Sequence, residues 1–379
     1  MKTQQKSFSA NQWHAVSESE NFNPLNAQLV LAFGERKCLE LTQPYDYIKS
    51  LYPTAEIVIN STSGEIYGDS VHSGTIIVTA IEFEKTTVRA VEIPIENYLQ
   101  SAKAGEEIAD ALMNDDLATI FIVSDGAKVN GSALIAALNE KTKNKIQISG
   151  GLAGDDARFE KTLVGLNQNP VEGKIVGIGL YGKKLRIGHG TLGGWDGFGP
   201  EREVTMSEYN VLYKINDKAA LDVYKEYLGK YADELPGAAL LFPLSMRENE
   251  DDEPVVRTIL SIDEANKSMT FAGEMPKGAL VRFMKANLDR LIDASGTAAQ
   301  SSLEPFEEAP ELAILVSCVG RKLVLGQRTE EEVEAAREIF GEKTTMTGFY
   351  SYGEISSQNA NARCELHNQT MTITTISEK

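Results

Sequence analysis

The chain of 379 residues carries 55 acidic and 37 basic side chains, which gives a formal net charge of −18 at pH 7. This balance argues against nucleic-acid and anionic-membrane partners, since both require a basic surface. A hydrophobic fraction of 42% with 24% charged residues is ordinary for a soluble globular protein. The length suffices for two domains, or for two halves of one pseudo-symmetric body.

Cysteine usage and the N-terminus indicate the compartment. Cys38, Cys318 and Cys364 lie far apart and form no CxxC pair, which favours a reducing environment and argues against structural zinc. Lys2 and Lys6 precede no apolar stretch, so no secretory signal is predicted. No run approaches the roughly 18 apolar residues of a membrane span. The sequence therefore predicts a cytoplasmic protein.

A strand–helix–strand phrase occurs three times, over residues 29–66, 120–155 and 312–355. Each copy opens with an apolar strand and closes on a turn in which Gly precedes an acid. A period of about 30 residues suggests that one β-α-β unit is reused. We therefore predict an α/β fold with mixed sheets, in two pseudo-repeated halves built from β-α-β units plus antiparallel strand pairs.

The remaining predicted elements follow from periodicity and from Gly and Pro punctuation. Residues 1–26 are polar and are predicted to be an N-terminal arm with a short helix near Asn11–Val16. The predicted strands outside the repeated phrase are 74–83 and 87–93 (as an antiparallel pair), 161–166, 173–181, 184–188, 203–207, 210–216, 238–244, 255–262, 268–271 and 369–376. The predicted helices are 44–51, 106–114, 132–139, 219–228, one within 277–294, and 330–340.

Glycine becomes dense over residues 188–199, where six of twelve positions are Gly, and Pro200 follows. This composition is typical of a loop. We predict that it is the seam between the two halves, which gives an arm over residues 1–26, a first half over 27–202 and a second half over 203–379.

Four turns place Gly directly before an acid: Gly64-Glu65, Gly154-Asp155, Gly273-Glu274 and Gly353-Glu354. Their carboxylates could cluster at one end of the sheets, where α/β folds bind ligands. Alternatively, Gly supplies a positive φ and the acid binds a backbone amide. Both interpretations remain open for the first three turns.

The fourth turn has the strongest features of a binding site. Tyr350, Ser351 and Tyr352 surround Glu354, and aromatic faces with hydroxyls suit a small polar ligand. The phrase Ser149–Gly154 is glycine-rich but lacks the GK[ST] ending of a phosphate loop, so it predicts nucleotide binding only weakly.

The four histidines, His14, His72, His189 and His367, show no metal-binding spacing. His189 or His367 could serve as an axial haem ligand, which requires one imidazole in an apolar pocket. The alternative for each is a surface or hydrogen-bonded histidine.

Several of these motifs, taken in order, resemble the paired FIST N and FIST C domains. The resemblance spans residues from about 26 to 376 and is carried by Ser61–Ile66, Ser149–Asp155, Gly193–Pro200, Ala219–Leu228, Phe349–Glu354 and His367–Thr370. It identifies residues 27–202 as the FIST N-like half and residues 203–379 as the FIST C-like half.

The resemblance implies a small-ligand sensor of signal transduction. The implied ligand is an amino-acid-like metabolite, or haem with a diatomic gas and His367 as its axial ligand. The ligand-binding residues are then Tyr350, Ser351, Tyr352, Gly353, Glu354 and Asn368. No kinase, methyl-accepting or cyclase segment accompanies these motifs, so the signal is expected to pass in trans to a separate protein such as a histidine kinase. The alternative is a carboxylate-dependent hydrolase using Glu65 and Glu354, although no nucleophile–base pair accompanies them.

Overall fold

The structure, a computed structural model, describes residues 1–235, 237–357 and 363–378. The strands, in chain order, are β1 (Lys2–Ser9), β2 (Gln12–Glu18), β3 (Leu29–Glu35), β4 (Glu56–Thr62), β5 (Glu65–Tyr67), β6 (Ser70–His72), β7 (Ile76–Glu82), β8 (Thr87–Pro94), β9 (Leu117–Ser124), β10 (Gln147–Leu152), β11 (Val164–Leu166), β12 (Lys174–Tyr181), β13 (Leu185–Leu192), β14 (Asp196–Glu208), β15 (Val211–Ile215), β16 (Lys218–Ala219), β17 (Leu244–Arg247), β18 (Val255–Arg257), β19 (Ile259–Asp263), β20 (Ser268–Phe271), β21 (Leu280–Lys285), β22 (Leu312–Cys318), β23 (Thr345–Ser351), β24 (Gly353–Ser357), β25 (Cys364–His367) and β26 (Met371–Glu378). The α-helices are α1 (Arg36–Thr42), α2 (Tyr45–Leu51), α3 (Ser101–Leu112), α4 (Gly131–Thr142), α5 (Ala220–Leu228), α6 (Leu288–Ser302), α7 (Val319–Leu325) and α8 (Thr329–Phe340).

Three of the four sheets repeat one strand order around a parallel pair. The pairs are β3 with β4, β9 with β10 and β22 with β23, and crossover helices connect the strands of each pair. An antiparallel strand, β7, β12 or β26, lies beside the first strand of each pair. The next neighbours are β1, β8 and β13. The β-α-β phrase is therefore the centre of three sheets.

Each β-α-β phrase with its own sheet is one unit, and the three units exchange strands in a closed ring. β5 follows β4 but pairs with β23, β24 follows β23 but pairs with β10, and β11 follows β10 but pairs with β4. Backbone hydrogen bonds continue the ring where the parallel strands end, as Ser63 N donates to Tyr350 O at 2.8 Å and Gly154 N donates to Ser61 O at 3.0 Å. Each of these sheets thus contains a strand from another unit.

The main core lies where these three sheets face one another. Leu31 and Phe33 of β3 point into it, and the Phe33 and Phe349 ring centroids are 4.8 Å apart. Their neighbours Val30 and Ala32 point to the opposite face, into the cluster that includes residues of α1 and α2. Successive side chains of a strand alternate between faces, and both faces of this sheet are covered. This explains the continuous apolar runs in the parallel strands.

Residues 196–285 form a fourth, antiparallel sheet in the order β18-β17-β21-β14-β15-β20-β19, with β16 beside β15. It has its own core, which includes Leu221, Tyr224, Phe271 and Phe283. We call residues 196–285 the antiparallel body, and the three interlocked sheets with their helices the three-sheet body.

The predicted α/β class with mixed sheets is confirmed, whereas the division into two pseudo-repeated halves is not. The β-α-β phrase recurs in three sheets, and the antiparallel body stands apart from them. The helix predicted near Asn11–Val16 is wrong, because residues 12–18 form β2 and pair with β1. The boundaries at residues 26 and 202 stay a prediction.

Three local predictions also need correction. Residues 74–83 and 87–93 do contain strands, but β7 pairs with β1 and β3 while β8 pairs with β12 in another sheet. The strand predicted over 238–244 is mainly a 3₁₀ helix, Gly237–Leu241. The helix predicted within 277–294 begins only at Leu288, after β21.

The glycine-rich segment is only partly a loop. Gly188 and Gly190 lie in β13, and a Cβ on either would come within 1.9 Å of a carbonyl oxygen of α6, at Ser302 or Ala298. These glycines let α6 pack directly on the strand backbone. Residues 193–195 then connect β13 to the antiparallel body.

Candidate functional site

A cleft of about 560 Å³ lies between the two bodies. The three-sheet body lines it with Tyr98, Gly126, Ala127, Val129, Asn130, Gly131, Leu152, Phe159, Tyr352 and Leu366. The antiparallel body lines it with Glu208, Tyr209, Asn210, Val211, Leu260, Phe271, Ala272, Gly273 and Glu274. Small-molecule pockets are typically about 300–1,000 Å³, so the cleft has the size of a ligand site.

The floor of the cleft is apolar and tightly packed. Leu152, Leu366 and Phe271 line it and are buried. Gly131 opens α4 here, and a Cβ at this position would lie 2.9 Å from Leu366 Cδ1. A side chain at residue 131 would therefore displace the floor, which explains why glycine stands at the start of the helix.

Asn130 joins the two walls. As the N-cap of α4, its Oδ1 accepts a hydrogen bond from Ala133 N at 3.0 Å. Its Nδ2 donates to Glu274 Oε1 across the cleft at 2.7 Å. One amide thus stabilises the helix start and holds a carboxylate of the other body.

Arg257 provides a second, deeper connection. Its guanidinium is buried, and Nη1 donates to the carbonyl of Leu366 in the three-sheet body at 2.9 Å. Nε donates to the carbonyl of Glu274 at 3.3 Å, behind Gly273. Burial lowers the pKa of Arg257 to about 10, so the side chain still carries its charge at neutral pH.

Aromatic side chains form the rim. Phe159 stacks on Tyr352 with ring centroids 4.7 Å apart, and the Tyr352 hydroxyl donates to Asp156 O at 3.1 Å. Burial raises the pKa of Tyr352, so the hydroxyl stays protonated. Across the cleft, Tyr98 meets Tyr209 edge to face with centroids 6.1 Å apart. Both walls therefore offer ring surface to a ligand.

Comparison with known proteins settles the family. Residues 28–218 match the FIST N domain, and residues 220–357 match the FIST C domain. The chain belongs to the FIST family. FIST domains are small-ligand sensory domains, and the cleft between the two bodies of this FIST protein has the dimensions that such a role requires.

Two further likenesses accompany this assignment. The FIST chain is 22% identical over 356 residues to an uncharacterized protein of Methanocaldococcus jannaschii, covering 83% of this chain and 67% of the relative. It is also similar to the crystal structure of a cyanuric acid hydrolase from A. caulinodans, with 10% identity, a TM-score of 0.35, and coverage of 94% and 92% of the two chains. A TM-score this low supports no inference about activity. Across the described residues, each helix is too short or too polar to span a bilayer.

The structure separates the ligand-binding residues predicted for this FIST protein. Tyr352 lines the cleft, whereas Tyr350, Ser351 and Glu354 are completely buried outside its lining. The Tyr350 hydroxyl donates to Glu332 Oε1 at 2.6 Å, and burial with this acid raises its pKa well above the ordinary value. Whether these residues bind a ligand stays a prediction.

Glu354 lies in a closed set of hydrogen bonds. Ser351 Oγ donates to Oε1 at 2.6 Å, while the N–H and hydroxyl of Thr370 meet Oε2 at 3.1 and 3.0 Å. Burial raises the pKa of Glu354 to about 8 against the opposing effect of these donors. Glu65 is completely buried in the same way, and neither acid lines the cleft.

Gly353 and Asn368 lie directly beneath the cleft floor. A Cβ on Gly353 would meet Leu152 at 2.4 Å and Leu366 at 2.9 Å, and Asn368 Nδ2 lies 3.6 Å from the same point. Asn368 and Gln369 are fully buried, and none of their side-chain polar atoms has a hydrogen-bond partner among the described residues.

The two candidate haem ligands lie outside the lining of the cleft. His367 is buried, and its Nε2 is 3.0 Å from the carbonyl of Ser356, so Nε2 carries the proton. Burial lowers its pKa to about 4. His189 lies 3.4 Å from Thr374 Oγ1, and burial lowers its pKa to about 4 as well. The cleft is lined by no histidine of the described chain.

Sequence reasoning missed most of the lining. Asn130 was missed because the helix was predicted to begin only at residue 132, whereas its N-cap is Asn130. Tyr98 and Tyr209 lie in short connections without a motif. The Gly273-Glu274 turn was a usable signal, since its acid does line the cleft.

Proposed function

We propose that this FIST protein is a cytosolic sensor that binds a small ligand in the cleft and reports it to a separate partner protein. The observation that carries the proposal is the position of the cleft between two bodies with separate cores. A ligand there contacts both bodies at once, and its binding free energy can favour one relative arrangement.

The contacts across the cleft suggest how the signal arises. Asn130 holds Glu274, and Arg257 holds the Leu366 carbonyl. A ligand that competes with the first contact while the second persists would rotate the walls about the deeper connection. A partner that prefers one arrangement would then bind with an affinity that changes when the ligand binds. This coupling would carry the signal to the separate protein.

The proposed ligand is a small organic metabolite, a class that includes amino-acid-like molecules. Haem fits the described residues poorly, because the cleft is lined by no histidine and the Nε2 proton of His367 is directed to a carbonyl. The hydrolase alternative gains no support either, since Glu65 and Glu354 are buried outside the cleft lining. We therefore propose neither haem sensing nor hydrolysis.

The test starts from protein purified from its own host and measured by native mass spectrometry, which gives the mass of any bound molecule. That molecule is then titrated calorimetrically into wild type, Leu260→Trp and Met206→Trp. Leu260 lines the cleft and Met206 does not, yet both are 48% exposed in the antiparallel body. We expect Leu260→Trp to abolish binding and Met206→Trp to retain it. Equal binding by both variants would refute the cleft as the sensory site.

A further inference from the structure

The charged side chains that line the cleft are all acidic. Glu208 and Glu274 both line it, whereas no Lys, Arg or His among the described residues does. Arg257 lies behind the wall, where carbonyl oxygens take its donors. The nearby Arg158 is paired with Asp155 and Glu35. The side chains that line the cleft therefore carry two negative charges and no positive one, and Glu365 and Glu274 oppose the charge of Arg257 behind the wall.

Ring faces add to this preference. Tyr98, Phe159 and Tyr209 are 49%, 49% and 58% exposed, and all three lie at the cleft. Aromatic faces attract cations, most strongly ammonium groups that are partly removed from water. Exposed aromatic side chains gathered around one cavity are typical of a recognition surface.

One feature of the cleft that favours an anion, the start of α4, is already satisfied. The N-terminus of α4 begins at Asn130 and Gly131 and carries a partial positive charge. Glu274 lies at this end of the helix, bound through Asn130 Nδ2 at 2.7 Å. A carboxylate on a ligand would have to displace Glu274 or lie beside it, and both are unfavourable.

We propose that the cleft selects a small organic amine whose body is apolar or aromatic and which bears no carboxylate. The ammonium lies between Glu208, Glu274 and the rim tyrosines, while the body packs on Leu152, Leu366 and Phe271. This inference rests on the proposed sensory function and specifies its ligand class. It distinguishes amines from amino acids, because the carboxylate of an amino acid meets like charge on the walls.

Three probes that share a phenyl ring test the charge preference: 2-phenylethylamine, phenylalanine and 3-phenylpropionate. Calorimetric titration at pH 7 is expected to show the amine binding at least about tenfold more tightly than the other two, as expected for a charge-assisted contact. Glu274→Gln should weaken amine binding about tenfold. Glu208→Gln should weaken it about threefold, because an exposed charge is screened. Glu226→Gln, an exposed acid on α5, is the matched control and should change nothing.

The outcomes separate this inference from the function on which it rests. If phenylalanine or 3-phenylpropionate binds as tightly as the amine, the charge preference is refuted while the cleft remains a ligand site. If no probe binds but Leu260→Trp still abolishes binding of the host-derived molecule, the amine class is refuted and the sensory function stands. If circular dichroism shows that Glu274→Gln alters the fold, two other measurements test the charge preference. Glu208→Gln should still weaken amine binding, and added salt should weaken it in wild type, because salt screens the attraction. The absence of both effects would refute the charge preference.

Discussion

Glu65 and Glu354 occupy equivalent cages in two different units of the three-sheet body. Glu65 Oε2 is 3.2 and 2.7 Å from the backbone nitrogen and hydroxyl of Thr75, and Glu354 Oε2 is 3.1 and 3.0 Å from those of Thr370. In each case Oε1 meets a hydroxyl three residues earlier, and the residue opposite in the hairpin is a histidine. The two Gly-acid turns therefore share one arrangement of hydrogen bonds, at points where the chain passes from one sheet to the next.

The cages predict a pH dependence of stability. Burial raises the pKa of Glu65 to about 7 and of Glu354 to about 8, above the ordinary value of 4.5. The folded state thus holds protons that the unfolded state has lost, so these groups contribute stability that is fully present below pH 4.5 and lost as pH rises to about 8. We expect the difference in melting temperature, Glu354→Gln minus wild type, to increase as the pH is raised from 5 to 8.5.

The isosteric amide keeps the shape of the cage without an ionisable group. Glu65→Gln should show the same relative gain, complete at a somewhat lower pH because the pKa of Glu65 is lower. Glu226→Gln serves as the exposed control. Parallel melting curves for wild type and both cage variants across this range would show that folding raises the pKa of neither acid.

The parallel strands were predictable because their burial on both faces leaves continuous apolar runs. β3, β9 and β22 were found on this signal, and so was the repetition of the β-α-β phrase. The exchange of strands between units was not predictable, because β5 and β11 are three residues long and carry no pairing information of their own.

The candidate site was less predictable than the fold. Tyr352 and Glu354 are neighbours in a single motif, yet one lines the cleft and the other is enclosed. Asn130 and Glu274 are far apart in sequence and meet only because the antiparallel body packs against the start of α4. Local patterns identify residue chemistry, but a cleft between bodies depends on contacts that no local pattern encodes.

Two glycines, one in β13 where α6 packs on it and one within α6 itself, predict opposite effects of substitution by alanine. A Cβ at Gly190 would lie 1.9 Å from the Ala298 carbonyl, so Gly190→Ala must push the helix away and should destabilise the protein by about 2–3 kcal/mol. At Gly296 in α6 the nearest atom is 3.7 Å away, so Gly296→Ala should stabilise by about 0.5–1 kcal/mol through helix propensity. Urea unfolding measures both, and a tolerated Gly190→Ala would contradict the packing.

Arg321 and Glu332 predict a large effect of removing one charge from a buried pair. Arg321 Nη2 is 2.7 Å from Glu332 Oε2, and both side chains are fully buried. Nη1 also donates to the Gly193 carbonyl at 2.6 Å, which fixes the crossing to the antiparallel body. Arg321→Met should destabilise by about 3–5 kcal/mol because it leaves Glu332 as an uncompensated buried carboxylate.

Two comparisons make the Arg321 test specific. Adding Glu332→Met to Arg321→Met should recover part of the loss, since both charges of the buried pair are then absent. Lys103→Met, in an exposed pair with Glu107, should leave the unfolding midpoint unchanged. A double variant as unstable as the single one would show that the loss comes from packing and not from charge.

Asn130 predicts how the cleft can be opened without a ligand. Asn130→Asp retains an oxygen for Ala133 N and so preserves the cap of α4, but it removes the donor to Glu274 and sets two carboxylates against each other. We expect the walls to separate and residues 271–274 to exchange amide hydrogens faster. Asn130→Ala loses the cap as well and should cost about 1 kcal/mol of stability, whereas the Asp variant keeps most of it.

Asn287→Asp is the matched control for Asn130→Asp. Asn287 caps α6 by accepting from Arg290 N at 3.3 Å and does not line the cleft, so its replacement should leave exchange at residues 271–274 at the wild-type rate. The faster exchange in Asn130→Asp should diminish in high salt, because repulsion between partly exposed charges is screened. If the exchange rates of Asn130→Asp and wild type agree at low salt, the Asn130–Glu274 contact does not hold the two bodies together, and the signalling mechanism proposed for the cleft is refuted.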